Sequence, residues 1–105
     1  MDERRAHRRG PALGNVSYEG SSGLRCEDVY DLSAGGMRLV LSGPETAGTD
    51  VELKIEGEVS EGGEEKVMTT MRGRVVWARQ ASPFQVGVRF LDADRAFFEA
   101  LSQHP

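Results

Sequence analysis

The sequence predicts an all-β fold: a six-stranded antiparallel β-barrel with a short C-terminal α-helix. Three observations carry that expectation. Short runs of strand-forming residues recur roughly every ten positions, the spacing of a sandwich or barrel rather than of alternating strands and helices. Thirteen glycines punctuate those runs, and glycine clusters mark turns. Only the last segment shifts its apolar period from two to about 3.6. For so small a chain, closing the sheet also removes edges that would otherwise recruit other strands.

The elements follow in order. GNVSYE, residues 14–19, reads as the first strand, and EGSSG, Glu19 to Gly23, as the turn after it. In LRCEDVYDL, strict alternation would put Leu24, Cys26, Asp28 and Tyr30 on one face and Val29 on the other. SAGG forms a tight loop. MRLVL is a short strand stopped by SGPETAGT. VELKI alternates cleanly, with Val51, Leu53 and Ile55 inward and Glu52 and Lys54 outward. EGEVSEGGEE, Glu56 to Glu65, reads as an acidic, solvated hairpin loop. KVMTTMRGRVVWARQ is a long strand expected to bend at Gly73, because a glycine inside a strand often marks a bulge. FQVGVRFL returns with Val86, Val88 and Phe90 on one face. DADRAFFEALSQ opens with aspartates suited to capping a helix, and Phe97, Phe98 and Leu101 fall at helical spacing. That helix is expected to lie across one barrel opening. The chain divides into an arginine-rich arm, residues 1–14, and the barrel with its helix, residues 15–105.

Composition excludes several function classes. No apolar run approaches the ~18 residues of a membrane span, and no apolar stretch of a secretory signal follows the first charges. The single cysteine, Cys26, cannot form an internal disulfide and fits a reducing, cytoplasmic setting. On its apolar face it reads as a small core residue. The net charge of -4 argues against a general nucleic-acid binder. His7 and His104 lack a metal-ligand pattern. No nucleophile–base pair or supported carboxylate dyad stands out, so an enzyme is not expected. Trp77 in VVWAR reads as rim packing rather than as a stacking platform.

Charge is segregated along the chain. The first ten residues carry four arginines against Asp2 and Glu3, a net +2, while the other 95 carry nine basic and fifteen acidic side chains, a net -6. That points to a local anionic partner. In ERRAHRRG, Arg4 pairs with Arg8 and Arg5 with Arg9 at R-x-x-x-R spacing. A guanidinium is a planar fork that binds phosphate oxygens bidentately and lies flat on a purine. A solvated basic tail would look the same from this segment alone. A second candidate is DLSAGG, residues 31–36. Asp31 accepts hydrogen bonds, Ser33 can donate to a phosphate or ribose, and Gly35 and Gly36 allow positive φ with uncovered N–H groups. An ordinary hairpin turn would also fit.

The conjunction is more informative than either part. A carboxylate beside arginines suits a ligand with both donor and anionic faces. Guanine presents adjacent N1–H and N2–H donors that one carboxylate accepts together. Adenine would leave Asp31 unpaired, and a site built on such bonds can discriminate by ~10⁴. A guanine nucleotide with exposed phosphodiesters meets both demands.

Taken together, ERRAHRRG, DLSAGGMRL, GRVVWAR and FQVGVRFLD resemble a PilZ domain from about Glu3 to Leu101. The resemblance implies a six-stranded barrel with a C-terminal helix and a bacterial, non-enzymatic receptor for the second messenger cyclic di-GMP. It implies that Arg5 and Arg9 grip the phosphates and stack on guanine. Asp31 and Ser33 would contact guanine and the phosphate–ribose region, and Gly36 would set the turn. Arg4, just before the motif, accompanies binding of an intercalated ligand dimer in the family, so two ligands per chain are expected. Arg38 lies within reach of the ligand. Gly10 and Pro11 follow Arg9, where many members carry an apolar, strand-forming residue, so a looser segment and lower affinity are expected. The arm would order on binding and present a surface to an effector protein. No cofactor, nucleic acid or membrane partner is implied. The alternative is a PilZ-like adaptor that has lost nucleotide binding and acts through protein contacts alone.

Overall fold

The computed structural model describes residues 13–21, 23–58 and 66–102. Six strands come first: β1 (Leu13–Glu19), β2 (Cys26–Ser33), β3 (Gly36–Leu41), β4 (Asp50–Glu58), β5 (Lys66–Ala78) and β6 (Phe84–Phe90). A helix, α1 (Arg95–Ser102), follows. The strands form one sheet in the order β1-β4-β5-β6-β3-β2, antiparallel throughout. The sheet curls into a half-barrel with β1 and β2 as its two edges. The fold class and element order therefore match the sequence expectation. The acidic loop lies largely outside the described residues, since β4 runs to Glu58 and residues 59–65 are not described.

The concave face is the core. Met37, Leu39 and Leu41 of β3, Val51, Leu53 and Ile55 of β4, and Val86, Val88 and Phe90 of β6 are all buried. Each set occupies alternate positions, so period-two patterning turned directly into packing. Charged partners line the convex face. Arg74 of β5 meets Asp50 of β4 at 2.7 Å, and Lys66 meets Glu56 at 3.1 Å.

The helix is anchored by its cap. Asp94 Oδ1 accepts the Phe97 N–H at 3.1 Å, and Oδ2 accepts the Thr69 hydroxyl of β5 at 2.6 Å. Those bonds hold the Asp94 carboxyl below the usual carboxylate range. Phe97 and Leu101 are buried, and Phe98 lies 6.0 Å from the Phe90 ring between centroids. Gly57 of β4 makes the docking possible, because a Cβ there would stand 2.5 Å from Leu101 Cδ2.

Two local expectations need correction. The irregularity in β5 falls between Val75 and Trp77, not at Gly73. Gly73 instead permits close approach of β6, since a Cβ would lie 2.5 Å from Val88 Cγ1 and 3.0 Å from the Arg89 carbonyl. The second correction concerns β2. Its half-buried residues are Cys26, Val29 and Leu32, every third position rather than every second. The register against β3 shifts between Cys26 and Asp28 and again between Val29 and Asp31. Each bulge inserts one residue and resets the parity of the strand. The second brings Tyr30 and Asp31, neighbours in sequence, to the exposed side together.

Candidate functional site

The turn joining β2 to β3 carries the candidate site. Ser33 pairs with Gly36 across it. The Ser33 hydroxyl accepts the Gly35 N–H at 3.2 Å and faces the Gly36 carbonyl at 3.4 Å. The Gly35 carbonyl accepts the Phe90 N–H at 2.9 Å, fixing the turn to the end of β6. Asp31, Ser33, Ala34 and Gly35 are all exposed. The turn thus offers a carboxylate and a hydroxyl to solvent from a backbone held on two sides.

The glycines act differently from expectation. Positive φ occurs among the described glycines at Gly23 and Gly48, not at Gly35 or Gly36. Gly36 is needed for space. A Cβ there would lie 2.1 Å from the Val88 carbonyl oxygen and 3.2 Å from Arg89 Cα. Backbone on that side cannot give way cheaply, so Gly36→Ala is expected to separate β3 from β6 beside the site. The cost should be about 1–3 kcal/mol, typical of forced overpacking. Urea denaturation checks this, and an unchanged midpoint would contradict it.

Arg38 follows on β3, directly opposite Asp31 in the β2–β3 register. Its Nη2 donates to Asp31 Oδ2 at 3.0 Å, and its guanidinium carbon lies 5.4 Å from the centroid of the Tyr30 ring. The Tyr30 hydroxyl in turn accepts the Gln85 side-chain N–H at 3.4 Å. Asp31, Ser33, Gly36 and Arg38 are therefore brought together as the sequence suggested. Tyr30 joins them unannounced. Alternation placed it on the face opposite Asp31, and only the bulge, which no residue type in VYDL signals, reverses that. Arg4, Arg5 and Arg9 lie outside the described residues, as do His7 and His104.

Other singled-out residues are packing elements. Trp77 stands opposite Gly87, and a Cβ on Gly87 would lie 2.2 Å from the indole Nε1. The indole covers the gap that glycine leaves on β6. Cys26 is half-buried against the core, and burial is the main cause pushing its thiol up to about 11. It is therefore a protonated, unreactive thiol at neutral pH. Among the described residues no group of three or more His, Cys, Asp or Glu could hold a metal ion. No described helix is long and apolar enough to cross a membrane.

The opposite end of β3 holds a polar cluster that sequence reading missed. Glu45, in the loop between β3 and β4, is only 2% exposed. Its Oε2 accepts the Tyr18 hydroxyl at 2.6 Å and the Ser21 N–H at 3.0 Å. Its Oε1 accepts the Ser21 hydroxyl, and the Thr46 N–H at 3.0 Å. Burial alone would raise this carboxyl's pKa, but the four bonds outweigh it and hold the pKa below the ordinary 4.5. Burial, and then the bond to Glu45, push the Tyr18 phenol far up, so it stays a donor. Among the described residues no cation takes part, so the cluster acts as a structural clasp.

Comparison with known proteins agrees with the geometry. The family model described as PilZ domain matches residues 3–104. Neither a curated protein nor a solved structure matched the chain significantly. The family match takes in both the arginine segment and the turn built around Asp31, Ser33 and Gly36. With the six antiparallel strands and the C-terminal helix, it means that this chain belongs to the PilZ domain family, a family of cyclic di-GMP-binding domains.

Proposed function

We propose that this domain is a non-enzymatic receptor that binds cyclic di-GMP and signals by reordering its N-terminal arm. PilZ domains are receptors and adaptors rather than enzymes. The observation that carries the reading is the pairing of exposed Asp31 and Ser33 at the end of β2, where the Ser33 hydroxyl accepts the Gly35 N–H of the turn. In this reading Asp31 accepts the N1–H and N2–H of guanine. Ser33 donates to a phosphate or ribose oxygen. Gly36 keeps the turn against β6. Arg5 and Arg9 supply the forks for the phosphates and the plane for the base. Arg4 adds a cationic plane for a second, intercalated ligand, and Arg38 stands at the edge of the site.

The switch follows from charge and composition. The segment ERRAHRRG is apolar-poor and strongly basic, so its ordering depends on the anion that neutralises it. Once ordered over the turn, it presents a new surface to an effector protein. Hydrogen–deuterium exchange over residues 3–14 tests this. Protection is expected to rise when cyclic di-GMP is added, and equal exchange with and without it would rule the switch out. Arg4→Ala is expected to lower the calorimetric stoichiometry from two ligands per chain to one. An unchanged ratio would remove the intercalated dimer. A domain that takes up no nucleotide at all would leave the adaptor reading.

A further inference from the structure

The contacts around Arg38 have a chemical meaning beyond a surface ion pair. A guanidinium is a flat, delocalised group with N–H donors on its edge. The N1–C2–N2 edge of guanine is also a guanidine unit, flat and with two N–H donors side by side. Arg38 presents its edge to the Asp31 carboxylate at 3.0 Å and its guanidinium to the Tyr30 ring, 5.4 Å from the centroid. A guanine base at the same carboxylate would find the same two partners, an acceptor for its N–H edge in Asp31 and an aromatic ring beside it in Tyr30.

We propose that Tyr30 and Asp31 together form a receptor for a guanidine-like edge, filled by Arg38 in the absence of ligand and by a guanine base of the ligand in its presence. This inference rests on the reading of the domain as a cyclic di-GMP receptor and adds a recognition residue, Tyr30, to it. Three observations carry it. The bulge between Val29 and Asp31 sets Tyr30 beside Asp31 on the exposed side, where regular alternation would have parted them. Tyr30 is 39% exposed, and its hydroxyl is steadied by Gln85. The Arg38–Asp31 pair is itself largely exposed, with side-chain accessibilities of 48% and 62%. Exposed pairs of this kind hold weakly, so the arginine can leave when a better-fitting base arrives. Arg38 thereby belongs to the site as the group the base displaces.

The occupant is also specific. A carboxylate that accepts two parallel N–H bonds, next to an aromatic plane, selects guanine over adenine by the edge and is indifferent to the sugar. Tyr30 contributes stacking area to that choice, and the Asp31 carboxylate contributes its direction.

Isothermal titration with cyclic di-GMP of the wild-type chain and three variants tests this. Tyr30→Ala is expected to raise Kd on the order of tenfold, as loss of one base–aromatic stack does. Tyr30→Phe keeps the ring and is expected to stay within about twofold of wild type. Arg38→Ala removes the internal competitor and is expected to lower Kd about threefold, the scale of an exposed ion pair. Wild-type affinity in Tyr30→Ala, or weaker binding in Arg38→Ala, would overturn the inference while leaving the receptor reading in place. Silence in all four proteins would overturn the receptor reading and the inference with it. Circular dichroism checks that each variant keeps its sheet, which is expected because both side chains are exposed.

Discussion

Arg5→Ala and Arg9→Ala are each expected to abolish measurable cyclic di-GMP binding. The reason is the number of bonds one fork makes. A charge-assisted hydrogen bond contributes about 2 kcal/mol, and a guanidinium gripping a phosphate makes two at once. Losing one fork therefore costs about 3 kcal/mol or more, which raises Kd at least ~100-fold. Loss of the flat surface on which guanine stacks adds to that. Arg8 supplies the control, since it lies in the same segment but outside the assigned Arg5–Arg9 pair. Arg8→Ala removes the same charge and is expected to change Kd only a few-fold, through long-range attraction that salt screens. Calorimetry on the three variants separates a specific grip from general basicity. Equal losses in all three would mean that bulk charge, not the spacing, holds the ligand.

The second large effect concerns stability. Glu45→Ala is expected to destabilise the domain by about 3–5 kcal/mol. The substitution leaves the Tyr18 hydroxyl, the Ser21 N–H and hydroxyl and the Thr46 N–H without their shared acceptor. The buried Tyr18 hydroxyl costs about 1–3 kcal/mol when stranded, and the three part-buried donors of Ser21 and Thr46 add less each because water reaches them. The clasp matters because it joins three connections. Glu45 holds Ser21 after β1 and its own loop after β3, and its carbonyl accepts the Gln80 side-chain N–H at 2.6 Å after β5. A urea midpoint equal to wild type would contradict the assignment.

Acid should act through the same group. The folded Glu45 pKa lies below its ordinary 4.5. Its contribution is therefore fully present above the unfolded pKa and is lost as pH falls through the folded one. Asp50, held down first by its bond to Arg74, and Asp94, held down first by its bond to Thr69, carry the same sign. Stability is expected to fall below about pH 4.5, and Glu45→Gln to flatten that acid limb. An equally steep decline in Glu45→Gln would show that other groups drive it.

The fold was legible where period-two patterning meets a one-sided core. VELKI and FQVGVRF packed as they read, because each inward residue is apolar and each strand keeps its parity. The Asp94 cap and the apolar positions of α1 were equally plain. β2 was not legible, because two bulges reset its parity and bulges leave no fixed residue signature. That one feature hid Tyr30 from the sequence reading. Gly36 was noticed for the wrong property. Its value lies in a missing Cβ against the β6 backbone, a tertiary fact that a local reading assigns to φ. Glu45 was hidden for a similar reason: its donors come from loops far apart in sequence, and a glutamate between Pro44 and Thr46 looks solvated. The arginine motif lies outside the described residues, so its phosphate-gripping role rests on the chemistry of the guanidinium fork alone.

The central claim is that one guanine-bearing dinucleotide bridges the arginine forks and the Asp31–Ser33 turn. Isothermal titration of the full chain with cyclic di-GMP, beside cyclic di-AMP as the base control, tests it most directly. Saturable heat with the guanine ligand and none with the adenine ligand is the predicted result. Equal heat from both, or none from either at millimolar ligand, would contradict it.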